Sequence, residues 1–119
     1  MNPTVLSASS LEGDSVKNAQ GEDLGKITEI MIDTETHEIA YYVLSFGGFM
    51  GMGDDLFAVP PEAMTVDTAN KCFVLNVEKD KLKNAEGFDK DHWPNMADQT
   101  FRKNTYAQYG LREGGHRAH

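Results

Sequence analysis

Basic charge is what this chain has least of. Eleven Lys and Arg stand against 19 Asp and Glu, a formal net charge of −8. No dense run of Lys or Arg occurs anywhere in it. Nucleic-acid binding needs a basic footprint that releases counterions, so no direct nucleic-acid contact is expected. Attraction to an anionic membrane surface is disfavoured for the same reason. The balance favours solubility and a basic protein partner. Cysteine is almost missing as well. The single Cys72 excludes an internal disulfide framework and fits a reducing compartment. Long apolar runs are also absent. The longest is Ile39 to Leu44, far short of the roughly 20 residues that a membrane span needs. The first residues, MNPTVLSASSLEG, carry neither a charged nor an apolar signal region. The expected address is the cytoplasm, with no membrane association.

What is there suits one folded domain. The chain has 119 residues, 39% of them apolar and 25% charged. Residues 1–10 read as a loose N-terminal arm. From Leu11, short β-like runs follow one another at close spacing, each bounded by turn residues, which is the pattern of an all-β barrel or sandwich. The runs are Ser15 to Lys17, Gly25 to Asp33, Glu38 to Phe46, Leu56 to Val59, Met64 to Asp67 and Cys72 to Val77. In the second run strict alternation would set Ile27 and Ile30 on opposite faces; a bulge near Thr28-Glu29 would return them to one. The third run is apolar on both faces, with Ile39, Tyr41 and Val43 on one side and Ala40, Tyr42, Leu44 and Phe46 on the other. Such a strand is covered twice, by a core plus either an interface or another element of the chain.

After Val77 the period changes. Asp80 can cap a short helix that carries Leu82 and Ala85 and ends at Gly87. A second helical stretch runs from about Asp98 to Tyr109, with Phe101, Thr105 and Tyr109 on one face and Gly110 as its stop. It reads equally as a docking helix or as a lid over the barrel. The tail from Leu111 reads as disordered.

Three stretches together resemble the PRC-barrel domain family. Gly21-Glu22-Asp23-Leu24-Gly25-Lys26-Ile27 is similar to its opening. Phe46-Gly47-Gly48-Phe49-Met50-Gly51-Met52-Gly53-Asp54-Asp55, followed by Phe57-Ala58-Val59-Pro60, resembles its Gly-rich connection and following strand. Gly87-Phe88-Asp89-Lys90-Asp91-His92-Trp93-Pro94 is similar to the segment after the barrel in stand-alone bacterial members. Pro61 departs from the pattern, which has an aromatic residue there. The family includes the cytoplasmic domain of the photosynthetic reaction-centre H subunit and the C-terminal domain of a ribosome maturation factor. The resemblance implies a mainly β fold, a small barrel of about six short antiparallel strands over residues 11–94. A partly helical segment, 95–119, would follow. It implies a binding or assembly platform and no reaction.

Chemistry read directly from the residues adds little. Gly51-Met52-Gly53 has only the first two positions of a dinucleotide fingerprint, and no Gly-Lys-Ser/Thr phosphate loop exists. His37, His92, His116 and His119 are scattered, without the tight spacing of a zinc site. Cys72 beside Lys71 has no base or orienting group among its alternation partners. No catalytic, cofactor or metal residue is expected. The candidate interaction surface is Phe46, Gly47, Gly48, Phe49, Met50, Gly51 and Met52. This stretch reads as a plain hairpin connection or as a recognition tip of phenylalanine and methionine on a glycine frame. Trp93 reads as core packing. The expected function is a non-enzymatic module for protein–protein binding, as a homodimer. Two alternatives stand beside it: a small-ligand or metal-binding stress protein, and a ribosome-associated assembly factor.

Overall fold

A computed structural model describes residues 5–46, 55–85 and 87–111. Its six strands are β1 (Ser15–Lys17), β2 (Asp23–Asp33), β3 (Glu38–Phe46), β4 (Asp55–Val59), β5 (Met64–Asp67) and β6 (Cys72–Leu75). They form one sheet in the order β4-β3-β2-β1-β6-β5, curled into a half-barrel. Neighbours are antiparallel except β1 and β6, which pair in parallel. That pair is joined through all the intervening strands rather than a hairpin, so direction is not forced by a tight turn.

Bulges decide which side chains meet. In β2, Ile27 pairs with Leu44 and Glu29 with Val43, which leaves Thr28 as the extra residue. The bulge is where the alternation of Ile27 and Ile30 requires one, and both pack on the inner core. A second shift opposes Met31 to Tyr41 and Ile32 to Ile39, so Ala40 is the extra residue on β3.

The inner core is built from Val16, Leu24, Ile27, Leu44, Phe73 and Leu75, all essentially inaccessible to water. Gly25 at φ 142° lets β2 cross close to the Ser45 carbonyl, where any Cβ would collide. Asn18 is buried at the turn after β1. Its Oδ1 accepts from the N–H groups of Gln20 (3.1 Å) and Glu22 (2.9 Å). Its Nδ2 donates to Glu22 Oε1 (2.7 Å) and to the Val77 carbonyl (3.2 Å). One side chain thus holds the β1–β2 turn and pins it to the chain leaving β6.

Three helices complete the described chain: α1 (Ala8–Leu11), α2 (Lys79–Lys83) and α3 (Gln99–Gln108). A short helix therefore lies within the stretch read as a loose arm. Glu78, not Asp80, stands at the N-cap of α2, without a side-chain bond, and Asp80 lies in the first turn. Asp98 caps α3, its Oδ2 accepting from Phe101 N–H at 3.0 Å. Gly110, at φ 73°, follows Tyr109 at the helix end. Pro60 is buried, and Pro61 opens a single 3-10 turn, Pro61–Ala63, that leads into β5. The proline at 61 thus begins a turn for which its fixed φ suits it.

The second face of β3 is covered by α3. Tyr41 meets Phe101 and Tyr106 edge-on, with ring centroids 5.7 and 6.4 Å apart. Ala58, Met31 and Ala40 join this smaller cluster. Of the two covers that the sequence left open for this strand, the structure supplies an element of the same chain.

Candidate interaction surface

The long connection between β3 and β4 springs from one end of the sheet. The ladder between these strands runs from Tyr42↔Val59 to Phe46↔Asp55, so its two stems are a directly opposed pair. Of the seven residues singled out in the sequence, Phe46 alone is described. It is a core residue, 6% exposed, packed edge-on against Phe57 with centroids 6.1 Å apart. It anchors the base of the connection rather than offering a surface. Gly47, Gly48, Phe49, Met50, Gly51 and Met52 lie outside the described residues.

Beside this base lies a strap that the sequence did not assign to the site. Leu56 and Phe88 form an isolated antiparallel bridge, each N–H donating to the other's carbonyl at 2.8 Å. Gly87 makes the approach possible. A Cβ there would come within 2.7 Å of the Leu56 carbonyl oxygen and 3.1 Å of Asp55 Cβ. The bridge covers part of the outer edge of β4, which would otherwise present unpaired backbone groups.

Trp93 completes the rim. It stands on Phe88 with ring centroids 5.1 Å apart, yet remains 39% exposed. Its indole Nε1 donates to the Lys90 carbonyl at 2.9 Å, which fixes the ring. The turn beneath is organised by Asp89. Its carboxylate accepts from the Asp91 N–H at 2.8 Å and faces His92 Nδ1 at 2.8 Å. The bond from His92, followed by that from Asp91, holds the Asp89 carboxyl below its ordinary pKa. A held, partly exposed tryptophan is the residue type that most often anchors a protein interface. The reading of Trp93 as plain core packing is therefore corrected: it packs on Phe88 but belongs to neither core cluster and stays partly open to solvent. The sequence signal was its place in the segment Gly87 to Pro94, next to a proline and far from any strand pattern.

The remaining candidate chemistry stays dispersed. Among the described residues no three or more His, Cys, Asp or Glu side chains converge as metal ligands. Cys72 is half-buried at the start of β6, opposite Asp67 on β5 and Ser15 on β1. No described helix is long and apolar enough to cross a membrane.

No curated protein matches this sequence. Among solved structures, the chain is similar to that of a putative 16S ribosomal RNA processing protein, RimM, from Pseudomonas aeruginosa. The two are 18% identical, and the match covers 66% of this chain and 47% of that one, with a TM-score of 0.43. The alignment thus spans less than half of that protein. The sequence pattern of the PRC-barrel domain matches residues 3–82, which hold all six strands and α2 through Leu82. With well over half of its length accounted for in this way, the chain belongs to the PRC-barrel domain family.

Proposed function

We propose that this protein is a non-enzymatic binding and assembly module that works through protein–protein contact at the β3–β4 end of the sheet. The observation that carries this reading is the placement of Trp93. A partly exposed tryptophan, fixed by Phe88 and Lys90, stands on the strap whose Phe88 bridges Leu56, one residue from the Phe46↔Asp55 base of a connection whose sequence holds Phe49, Met50 and Met52. Aromatic and methionine side chains are the types that supply the adaptable apolar contact of an interface centre. Family membership supports a platform role in general terms. The working unit is residues 11–94, in the cytoplasm, and α3, within the segment 95–119, serves as cover for β3.

The partner is a protein, with a second copy of the chain as the simplest case. The homodimer now rests on the rim alone, because α3 occupies the outer face of β3. Sedimentation velocity on the intact chain and on Phe49→Ser/Met50→Ser tests it. Loss of a concentration-dependent dimer in the double variant, with the fold unchanged, supports self-association through the rim. A pull-down from lysate at low and moderate salt extends the test to other proteins. A set of retained proteins identical for both chains contradicts the assignment of the rim.

A further inference from the structure

The whole negative balance of this chain lies in one stretch. Of the 19 acidic residues, eight fall within residues 27–70, and of the 11 basic residues none does. The remaining 11 acidic and 11 basic residues balance each other. The stretch contains the β2–β3 hairpin, and its far end breaks two local rules of sheet design at neighbouring positions.

The first is Asp33↔Glu38, two carboxylates placed directly opposite each other across the last ladder position. Like charges at opposed positions destabilise a strand pair. Asp33 Oδ1 accepts from the N–H groups of Glu35 (2.9 Å) and Thr36 (3.3 Å), which accounts for Asp33 as a turn former. Nothing comparable accounts for Glu38, which is exposed. Neither carboxylate has an ion pair among the described residues. The second is Ile32, at the adjoining register position opposite Ile39. Ile32 is 52% exposed, the continuation of the Ile27–Ile30 stripe past the end of the inner core, while Ile39 is half-buried at the core margin. An isoleucine pair next to a carboxylate pair without an ion pair, with the one lysine of the two strands, Lys26, opposite Ser45 at the far end of the ladder, is a surface left incomplete by its own chain.

We infer that the end of the β2–β3 hairpin is a second docking surface, and that its occupant is a basic segment of another protein carrying an apolar residue between its cations. The apolar residue covers Ile32 and Ile39. Its flanking Lys or Arg relieve the repulsion between Asp33 and Glu38 and engage Glu35 in the turn. Charge complementarity selects the occupant, because the hairpin's one lysine, Lys26, stands opposite Ser45 at the other end of the ladder from Asp33 and Glu38. The surface deepens the binding-module reading and rests on it. It lies at the hairpin's turn, whereas the β3–β4 rim lies at the opposite end of β3.

The test uses the full chain and a fluorescent peptide of alternating Lys and Val, with an alternating Lys and Gly peptide as control, followed by anisotropy over a salt series. The Lys/Val peptide is expected to bind more tightly than the control. Ile32→Thr should weaken it about tenfold at every salt concentration. Glu38→Lys should weaken it, flatten its salt dependence and at the same time raise the melting temperature, because Asp33 then faces a cation. Phe49→Ser/Met50→Ser should bind the peptide unchanged, so that failure here and failure of the rim are separable. Equal binding of both peptides, with no effect of Ile32→Thr, reduces the surface to general electrostatic attraction and overturns the inference. So does a Glu38→Lys variant that binds as the parent does. Self-association of the parent that is abolished by Glu38→Lys makes a second copy the occupant and likewise overturns it.

Discussion

Leu56 and Phe88 exchange a reciprocal pair of backbone hydrogen bonds, each 2.8 Å long, and so tie the segment after α2 to the outer edge of β4. The tie depends on the missing side chain at Gly87. Gly87→Ala would force its Cβ against the Leu56 carbonyl oxygen, and either the bridge or the strand must move. A loss of about 1–3 kcal/mol is expected, by analogy with overpacking at a backbone contact. Trp93 emission should shift red as Phe88 leaves its place. An unchanged emission maximum together with unchanged denaturant midpoint would show that the strap is not held by this bridge.

Gly25 is the more severe case. Its φ of 142° and the Ser45 carbonyl beside it disfavour any side chain on two separate grounds. Gly25→Ala is expected to cost about 3 kcal/mol or more, as the sum of backbone strain and collision. Urea unfolding measures it directly, and a cost below half of that would mean that β2 can slide past β3 at the bulge.

Asn18 predicts a loss of a different kind. Asn18→Ala strips partners from two backbone N–H groups and from the Val77 carbonyl around a buried side chain, in a turn whose other residues are exposed. The expected cost is about 1–2 kcal/mol, since water can reach part of what is left unpaired. Asn18→Asp keeps both acceptor bonds but sets a carboxylate oxygen against Glu22 Oε1 and the Val77 carbonyl, where the Nδ2 donor stood. It should therefore be destabilised at neutral pH and regain stability as the pH falls and a carboxyl is protonated; an aspartate variant as stable as the parent at about pH 7 in chemical denaturation contradicts the bond assignment.

The barrel was largely legible in the sequence, because its signals are local. The runs of alternating residues mark β1, β3 and β5 at their observed bounds, and the bulge at Thr28 follows from the positions of Ile27 and Ile30 alone. Asp98 and Gly110 likewise announce α3 through capping chemistry that needs no tertiary contact. What α3 covers was not legible. The face expected from Phe101, Thr105 and Tyr109 fits a partner's groove as well as a strand of its own chain; in the folded chain Phe101 and Tyr106 meet Tyr41, while Tyr109 packs on the inner core. Trp93 was missed for the same reason: its exposure is decided by the Leu56–Phe88 bridge, a contact across 32 positions that no periodicity records. The parallel pairing of β1 with β6 is also set by closure of the sheet and not by any turn.

The tyrosines of α3 carry a pH dependence with a definite sign. The Tyr106 hydroxyl donates to Glu62 Oε1 at 3.1 Å. Burial, and then the neighbouring Glu62 carboxylate, push its pKa up to about 12 from 10.0. Burial also pushes the Tyr109 hydroxyl well above the ordinary tyrosine range. Both groups are acids whose folded pKa is raised. Their stabilising share is therefore complete below the unfolded pKa and is lost as pH rises from about 10 through about 12. The melting temperature should hold to about pH 9 and then fall. Tyr106→Phe should reduce that alkaline fall at the expense of the Glu62 bond near neutrality. Tyr109→Phe should be neutral or slightly stabilising near pH 7, since its buried hydroxyl has no hydrogen-bond partner among the described residues. An alkaline profile identical in parent and Tyr106→Phe contradicts the assignment.

The central claim, that this barrel acts by protein contact at the rim beside Trp93, is tested most directly by photo-crosslinking in intact cells. The benzophenone amino acid p-benzoylphenylalanine would be placed at Phe49, at Trp93 and, as an exposed control on α3, at Lys103. Discrete protein adducts are expected from the first two positions, of the same partner or of a second copy of the chain, and none of these from Lys103. Adducts that are the same from all three positions, or none at the rim above the level of the control, would contradict it.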